Sequence, residues 1–307
     1  MSFKIAVIIA TYNRIHLLKK QLAALANQSL ESSDYEVIIV DDGTKNFDKN
    51  SIQHFDVVPK HLTVLQQDHN GPAAARNLGV SKTEAPILAF TDDDCIADYN
   101  WLENILKAFK NATAPDDMVG VQGLTYTNRD EMTPLTHQIE NLEGHPTVPT
   151  CNAAYKRVIF ERIGGFDEHF PHPHNEDADL AWRAKEHGTI PFDKYIKMYH
   201  PPRKDSLLKN IKQKRKLESE FRLWWKAKER YKQYRNKSPW YTIYVEVFII
   251  HQLYTLKHYF SYWRNPIHVS TGILITFCGW IYLLMLLPDF VKENKKQKQI
   301  IDNIAMA

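Results

Sequence analysis

The run Phe90-Thr91-Asp92-Asp93-Asp94-Cys95 places three carboxylates in a row directly after the apolar stretch Pro86-Ile87-Leu88-Ala89-Phe90. A short apolar run that stops at an acidic turn reads as a buried strand delivering ligands to its carboxyl end, where open α/β sheets place their sites. Adjacent carboxylates repel one another, so such a triplet is suited to a divalent cation or to a metal-bound polyphosphate that neutralises it. Read alone, it is equally a solvated acidic turn or the cap of a helix over Tyr99 to Lys110.

The segments around it repeat the pattern. Phe3 to Ala10 reads as a first buried strand, and Leu17, Leu18, Leu22 and Leu25 form the stripe of a helix. Tyr35 to Val40 is a second strand ending in Asp41-Asp42-Gly43, Leu62 to Gln66 a third, and Pro72 to Val80 a helix. Strands alternating with helices, with polar or acidic residues at the strand ends, predict an α/β fold with a mostly parallel, doubly wound sheet. Beyond Thr113 the pattern loosens: Gly120 to Gly123 is a strand, and Pro134 to Pro149 is an irregular segment expected to lie over the site. Val158 to Ile163 and Asp177 to His187 then read as helices closed by Gly164-Gly165 and by Gly188.

The chain has 307 residues and a net charge of +3, which conceals a strong asymmetry. Residues 1–202 carry 19 Lys+Arg against 28 Asp+Glu, whereas residues 203–237 carry 14 against 4. An acidic body followed by a basic stretch pairs a cation-handling region with one that meets a polyanion, either nucleic acid or an anionic membrane. The C-terminal third of the chain favours the membrane and argues against nucleic acid. No charged residue occurs from Val269 to Leu287, a run just long enough to span a bilayer. Trp240 to Phe260 is apolar and aromatic but broken by Glu246, His251 and Lys257, as in a helix lying in the interface or packed on a partner rather than a second span. Leu207, Leu208, Ile211, Leu217, Phe221, Trp224 and Trp225 recur at helical spacing among Lys and Arg, which predicts a basic amphipathic helix, or else a surface helix packed on the body. Three widely spaced cysteines without a CxxC pair suit a reduced compartment, and the first residues lack the features of a signal peptide.

Thr11-Tyr12-Asn13-Arg14 follows the first strand, where an aromatic ring can stack on a base, and the turn at Asp41 supplies an acceptor carboxylate beside it. Taken in order with Gly71-Pro72-Ala73-Ala74-Ala75-Arg76-Asn77-Leu78-Gly79, Thr91-Asp92-Asp93-Asp94, Gly164-Gly165-Phe166-Asp167-Glu168 and Asn175-Glu176-Asp177-Ala178-Asp179-Leu180, these segments closely resemble the family 2 glycosyltransferases from about Lys4 to Pro202. The resemblance implies the glycosyltransferase-A fold, a nucleotide-diphospho-sugar donor, Mn²⁺ or Mg²⁺ at the acidic triplet, and inversion at the anomeric carbon. By that likeness Thr11, Tyr12, Arg14 and Asp41 belong to the donor site, with Tyr12 and Asp41 at the base. Arg76 would contact the nucleotide, Asp92 the ribose with Asp93 beside it, and Asp94 the metal bridging the diphosphate. Asp177 takes the position of the catalytic base, with Glu176 beside it raising its proton affinity through like charge. His200, in Met198-Tyr199-His200-Pro201-Pro202, would join the metal or diphosphate. His172 and His174 precede the base in a Pro-rich loop and are not assigned a role, while Trp182 and Arg183 read as helix packing and surface charge.

The processive members of the family carry a Gln-x-x-Arg-Trp motif after the base; here the stretch reads Lys212-Gln213-Lys214-Arg215-Lys216, which points to one sugar per encounter. The resulting expectation divides the chain into a catalytic domain over 1–202, a basic and aromatic helical region over 203–265, a transmembrane helix over 266–290 and a polar tail over 291–307. It places a metal-dependent, non-processive enzyme, hexosyl or N-acetylhexosaminyl transferring, on the cytoplasmic face of a membrane, single-pass or monotopic. Its donor is a UDP-sugar, and its acceptor a lipid-linked or cell-surface glycan of the cell envelope; a homo-oligomer is open. Two rivals are weaker: a sugar-nucleotide nucleotidyltransferase wants a glycine-rich phosphate loop after the first strand, which Thr11-Tyr12-Asn13-Arg14 lacks. A catalytically idle membrane-tethered scaffold has no reason to keep a buried acidic cluster.

Overall fold

A computed structural model describes residues 3–53, 55–112, 117–235, 237–251, 253 and 265–306. The chain forms two units: Met1–Thr127, Gln138–His169 and Glu176–Pro201 make the first, and Asn128–His137, Phe170–Asn175 and Pro202–Ala307 the second.

In the first unit β1 (Ile5–Thr11), α1 (Ile15–Ala26), β2 (Tyr35–Asp42), α2 (Asn50–Gln53), β3 (Leu62–Gln67), α3 (Pro72–Val80) and β4 (Ile87–Asp92) alternate. The chain continues through β5 (Ile96–Ala97), α4 (Trp101–Lys110), β6 (Gly120–Tyr126), β8 (Ala153–Lys156), α5 (Arg157–Arg162), α6 (Glu176–Ala184) and β9 (Phe192–Tyr199), while β7 (Thr136–His137) belongs to the second unit. The sheet runs β3-β2-β1-β4-β8-β6-β9-β5. Ile5 to Ile9 and Val37 to Val40 are entirely buried, as continuous apolar strands of a sheet covered on both faces must be. β1 pairs in parallel with both β2 and β4, so Thr11 lies level with Asp41 and Ala10 level with Asp92. The chain leaves β1 toward β2 on one side and reaches β4 on the other. The crevice at such a switch of direction is where ligands of open α/β sheets bind.

The far half of the sheet is mixed, where the sequence predicts a mostly parallel one. β8 runs antiparallel to both β4 and β6; it is reached from β6 through loop, two short 3₁₀ turns and the two-residue β7, without the crossover helix that usually carries a parallel return. The register of β6 on β9 shifts between Gly123 and Leu124. A Cβ on Gly123 would stand 2.2 Å from the Ile196 carbonyl oxygen, so only glycine fits this approach. Asn152 bridges the irregularity: its Nδ2 donates to the Leu124 and Ile196 carbonyls, and its Oδ1 accepts from Trp101 Nε1 at 2.8 Å. That bond lets the largest buried aromatic of α4 enter the core with its one polar atom satisfied.

In the second unit β7 pairs antiparallel with β10 (Arg203–Lys204). The predicted single basic helix is instead broken into Leu207–Lys212, a 3₁₀ turn over Gln213–Glu218, Ser219–Lys226 and Lys228–Arg235. All seven residues from Leu217 to Leu223 are buried, and a one-sided amphipathic helix cannot bury seven in a row. Leu217 and Phe221 pack with Ile243, Leu283, Leu286 and Phe290. Trp225 donates from Nε1 to Asn294 Oδ1 at 2.7 Å. Of the apolar stripe, Leu217 and Phe221 are therefore core, Leu207, Ile211, Trp224 and Trp225 are half-buried, and Leu208 is exposed. The aromatic segment continues as helix through His251, and the rest of the predicted interfacial stretch, apart from Leu253, lies outside the described residues. The last two elements are helices Pro266–Met285 and Leu287–Met306, the latter where a polar tail is predicted.

His172 and His174 also belong to this unit, where they hold buried carboxylates. His172 Nε2 lies 2.9 Å from Glu218 Oε2, and His174 Nε2 3.5 Å from Glu220 Oε1. Glu220 further accepts from Asn175 Nδ2 and Tyr231 Oη and faces Arg235 at 3.6 Å. Burial alone would push this carboxyl up, but His174, the Arg235 guanidinium and Asn175 together hold it down at about 2. A depressed carboxylate stabilises the fold above its ordinary range, near 4.5, and that contribution is lost as pH falls through 4.5 toward 2. Hydrogen exchange of residues 219–235, corrected for intrinsic rate, is therefore expected to lose protection between pH 5 and 3. In Glu220→Gln it should start lower at neutral pH and change less over the same range.

Candidate active site

The site is assembled from the carboxyl ends of β1, β2 and β4. Thr11, the last residue of β1, is buried and donates from Oγ1 to Asp93 Oδ2 at 2.8 Å. Arg14, just before α1, reaches back with one guanidinium nitrogen 3.0 Å from Asp93 Oδ1 and the other 3.4 Å from Asp94 Oδ2. Burial pushes the Asp93 carboxyl up to about 7; Arg14 and the Thr11 hydroxyl oppose the rise, and the neighbouring charges of Asp94 and Asp92 add to it. Gln21, buried on α1, props the acidic turn from beneath: its Nε2 donates to Thr91 Oγ1 and its Oε1 accepts from the Ala97 amide.

Asp94 meets His200 at the end of β9, with Oδ1 and Nε2 3.7 Å apart. That is too long for a hydrogen bond. His200 Nδ1 lies 3.2 Å from the Pro201 carbonyl oxygen, which can only accept, so Nδ1 is the donor of that bond and Nε2 is the ring nitrogen turned toward Asp94; in the neutral ring Nε2 then offers its lone pair. A carboxylate oxygen and an imidazole lone pair side by side are ligands for a cation of the Mn²⁺ type. Cys95 is the third group within 4.8 Å. Its hydrogen bond with Cys151 and its burial push the thiol well above its ordinary value, so it remains a protonated, poor ligand. The donor set thus fits a divalent ion held by Asp94 and His200.

Arg76 stands across the crevice on α3. It is buried, with one nitrogen 3.0 Å from Asp92 Oδ1 and another 3.2 Å from Glu176 Oε1, and its guanidinium carbon lies 5.5 Å from the centre of the Phe166 ring. Burial opposes its charge, but Asp92, Glu176 and Asp177 together more than offset this. The structure turns Glu176 onto Arg76, whereas the sequence suggests a like-charge partner for Asp177. Asp177 is half-buried in the first turn of α6, and Asp179 is buried against Arg183 at 2.6 Å.

Asp41 and Tyr12 make different contacts. Asp41 is buried, and its oxygens accept from the Thr44 amide and hydroxyl and from Gln66 Nε2, holding the turn after β2. The Tyr12 ring stacks on His69 with centroids 4.2 Å apart and is 39% exposed. Asp42 ties the entry of α3 by accepting from the Asn70 and Gly71 amides.

Two positioning residues escape sequence reasoning. Asn77 of α3 latches the Gly164-Gly165-Phe166-Asp167-Glu168 turn: its Nδ2 donates to the Phe166 carbonyl and to Glu168 Oε1, and its Oδ1 accepts from the Phe166 amide. Gly165 has φ +67°, and a Cβ there would stand 2.7 Å from Asn77 Oδ1. Arg183, predicted to be surface charge, clamps the same turn by donating to the Ile163 and Gly165 carbonyls. The position of Asn77 within the Gly71 to Gly79 segment carries a weak signal for the first; nothing local marks the second.

The sequence matches the model of the family described as Glycosyl transferase family 2 over residues 6–166. It is 29% identical over 205 residues to Glycosyltransferase AglE of Haloferax volcanii, covering 65% of this chain and 67% of that protein. The fold resembles S. aureus TarS 1-349 in complex with UDP-GlcNAc, with a TM-score of 0.52 and 16% identity over 70% of this chain and 65% of that one. It also resembles the mannosyltransferase PcManGT from Pyrobaculum calidifontis in complex with GDP-Man and Mn²⁺, with a TM-score of 0.56 and 17% identity over 99% of this chain and 87% of that one. This chain therefore spans about two thirds of AglE and of the TarS chain.

Replacing Asn77 by Ala leaves the Phe166 amide and carbonyl without their partner, at a cost of about 2–3 kcal/mol. A fall in Tm of Asn77→Ala, with Asn77→Asp only partly restoring it, checks this latch.

Proposed function

We propose that this chain, which belongs to glycosyl transferase family 2 and so transfers glycosyl groups from a nucleotide-sugar donor, is a metal-dependent, inverting, non-processive enzyme. Its donor is a UDP-sugar, and the acceptor is a hydroxyl of a lipid-linked or cell-surface glycan. The observation that carries the reading is the placement of Asp94 Oδ1 3.7 Å from His200 Nε2, beside Asp92, Asp93 and the buried Arg76. The TarS and PcManGT structures hold UDP-GlcNAc and GDP-Man, and the second also holds Mn²⁺, which supports a diphosphate donor and a divalent ion here.

In this reading Tyr12 offers its ring to the base and Asp41 shapes the turn that receives it. Arg76 contacts the nucleotide and Asp92 the ribose, their mutual ion pair fixing both side chains before the donor arrives. Thr11 and Arg14 hold Asp93 and orient the acidic turn. Asp94 and His200 would hold Mn²⁺ or Mg²⁺, which supplies positive charge against the diphosphate leaving group. Asp177 takes the proton of the acceptor hydroxyl as that oxygen bonds to the anomeric carbon and the bond to the diphosphate breaks. Among the carboxylates opening α6 it suits this role best, since Glu176 and Asp179 are each held by an arginine while Asp177 is half-exposed. The proposed division is a catalytic domain over 1–202 and a C-terminal region that holds the chain on the cytoplasmic face of an anionic membrane, where an envelope-glycan acceptor would be met.

Hydrolysis of a panel of nucleotide sugars with and without Mn²⁺ tests the donor and metal assignments together. Asp94→Asn keeps the shape of the side chain but loses the charge that binds a hard cation, so metal-stimulated turnover should vanish while the melting temperature barely moves. Full turnover of that variant in EDTA would refute the metal role. Asp177→Asn should lower kcat by roughly 10²- to 10⁴-fold, the usual scale for a general base, with donor affinity little changed. A wild-type kcat would place the base elsewhere.

A further inference from the structure

Helix Pro266–Met285 is, among the described residues, the one long and apolar enough to cross a membrane. Its two faces differ. Gly272, Thr276, Gly279 and Leu283, spaced three or four apart, are buried within the second unit. Ile273, Leu274, Phe277, Ile281, Leu284 and Met285 form an exposed apolar stripe, with Phe277 58% and Met285 69% exposed. Such a stripe on a single helix is more than a scattering of surface apolar residues and calls for a cover.

What lies against the buried face decides what that cover is. The helix packs on the segments Leu207–Lys212 and Gln213–Glu218, which carry Lys209, Lys212, Lys214, Arg215 and Lys216. A Cβ on Gly279 would stand 3.6 Å from Lys214 Cε. Were the helix to cross the hydrocarbon, which needs all of its roughly 30 Å, this charged layer would be carried to bilayer depth with it. The next helix, Leu287–Met306, is tied to the same body: Trp225 donates to Asn294, and Arg222 to Gln297 at 3.2 Å. Upstream, Trp280 Nε1 donates to the Phe248 carbonyl and Tyr244 Oη to the Leu283 carbonyl. The C-terminal half of the helix and the helix that follows it are thus fastened to the rest of the second unit. The unit that holds it is basic, with 14 Lys+Arg against 4 Asp+Glu over residues 203–237, and the following helix adds exposed Lys292, Lys295, Lys296 and Lys298 against Asp289, Glu293 and Asp302.

We propose that helix Pro266–Met285 does not span a membrane but lies in the plane of one leaflet of an anionic phospholipid bilayer, with the Ile273 to Met285 stripe inserted and its other face on the basic body. The proposal rests on the membrane association of the C-terminal region and narrows it to a single-sided attachment. An in-plane helix of this kind inserts its apolar face to the level of the acyl boundary while lysines beside it meet the anionic headgroups.

The full-length chain with Cys278→Ser and either Lys212→Cys or Lys295→Cys, labelled with a membrane-impermeant maleimide in sealed right-side-out and inside-out membranes of the expression host, tests the topology. Labelling of both positions from the same face is expected; labelling from opposite faces would overturn the in-plane assignment and leave membrane attachment standing. Flotation of the purified full-length protein with phosphatidylcholine vesicles, with and without phosphatidylglycerol, tests the attachment itself. Binding should require the anionic lipid, weaken in high salt, and fall by at least about tenfold in Leu274→Glu with Phe277→Glu. Failure to float with either vesicle, together with a dimer in sedimentation velocity, would assign the stripe to a second copy of the chain and overturn both readings.

Discussion

The buried guanidinium of Arg76 joins three separate elements of the first unit. It projects from α3, meets Asp92 at the end of β4 and Glu176 at the start of α6, and sits over the ring of Phe166. Removing a cation and two anions from water is expensive, and only close mutual contact makes the group tolerable. In return the arrangement fixes where the strand end and the helix start stand relative to each other. Asp92 and Asp177, one assigned to the sugar nucleotide and the other to the attacking hydroxyl, belong to those two elements.

Around this pivot, the carboxylates of the crevice are sorted by partner. Asp93 shares Thr11 and Arg14, Asp179 is held by Arg183, and Asp42 accepts from backbone amides. Asp94 touches Arg14 as well but differs in also facing the Nε2 of an imidazole. A row of acids that would repel one another as free side chains thus becomes a set of distinct groups, and chemistry can be assigned to each from its neighbours.

Much of this was legible in the sequence, because the parallel half of the fold rests on local pattern. Buried strands read as apolar runs, their ends as Asp41-Asp42-Gly43 and Asp92-Asp93-Asp94, and α3 as the stretch from Pro72 to Val80, where the structure has it. The residues that were not legible are buried polar ones whose partners lie far along the chain. Asn152 serves a strand irregularity and a tryptophan, Asn77 serves a turn 89 residues away, and Gln21 props a loop 70 residues on. No periodicity marks such side chains, since each is specified by a single contact in space. The basic stretch after Pro202 misleads for a related reason: its apolar residues do recur at helical spacing, but the run from Leu217 to Leu223 is buried on all sides, polar residues included, and the helix is broken around it.

The order of the strands has a further consequence, for how the molecule comes into being. β1 and β4 are neighbours in the sheet, yet Thr11 and Asp93, which join across them, are 82 residues apart in the chain. Closing so large a loop costs entropy before any contact offsets it, and sheets rich in distant parallel pairings fold slowly. The crevice therefore has no local precursor: a chain folded only as far as β3 has β1 and β2 side by side but lacks the acidic turn altogether. The contacts of Asp93 with Thr11 and Arg14 exist only where the fourth strand is paired with the first, so the acidic turn takes its place in the crevice through that one long-range pairing.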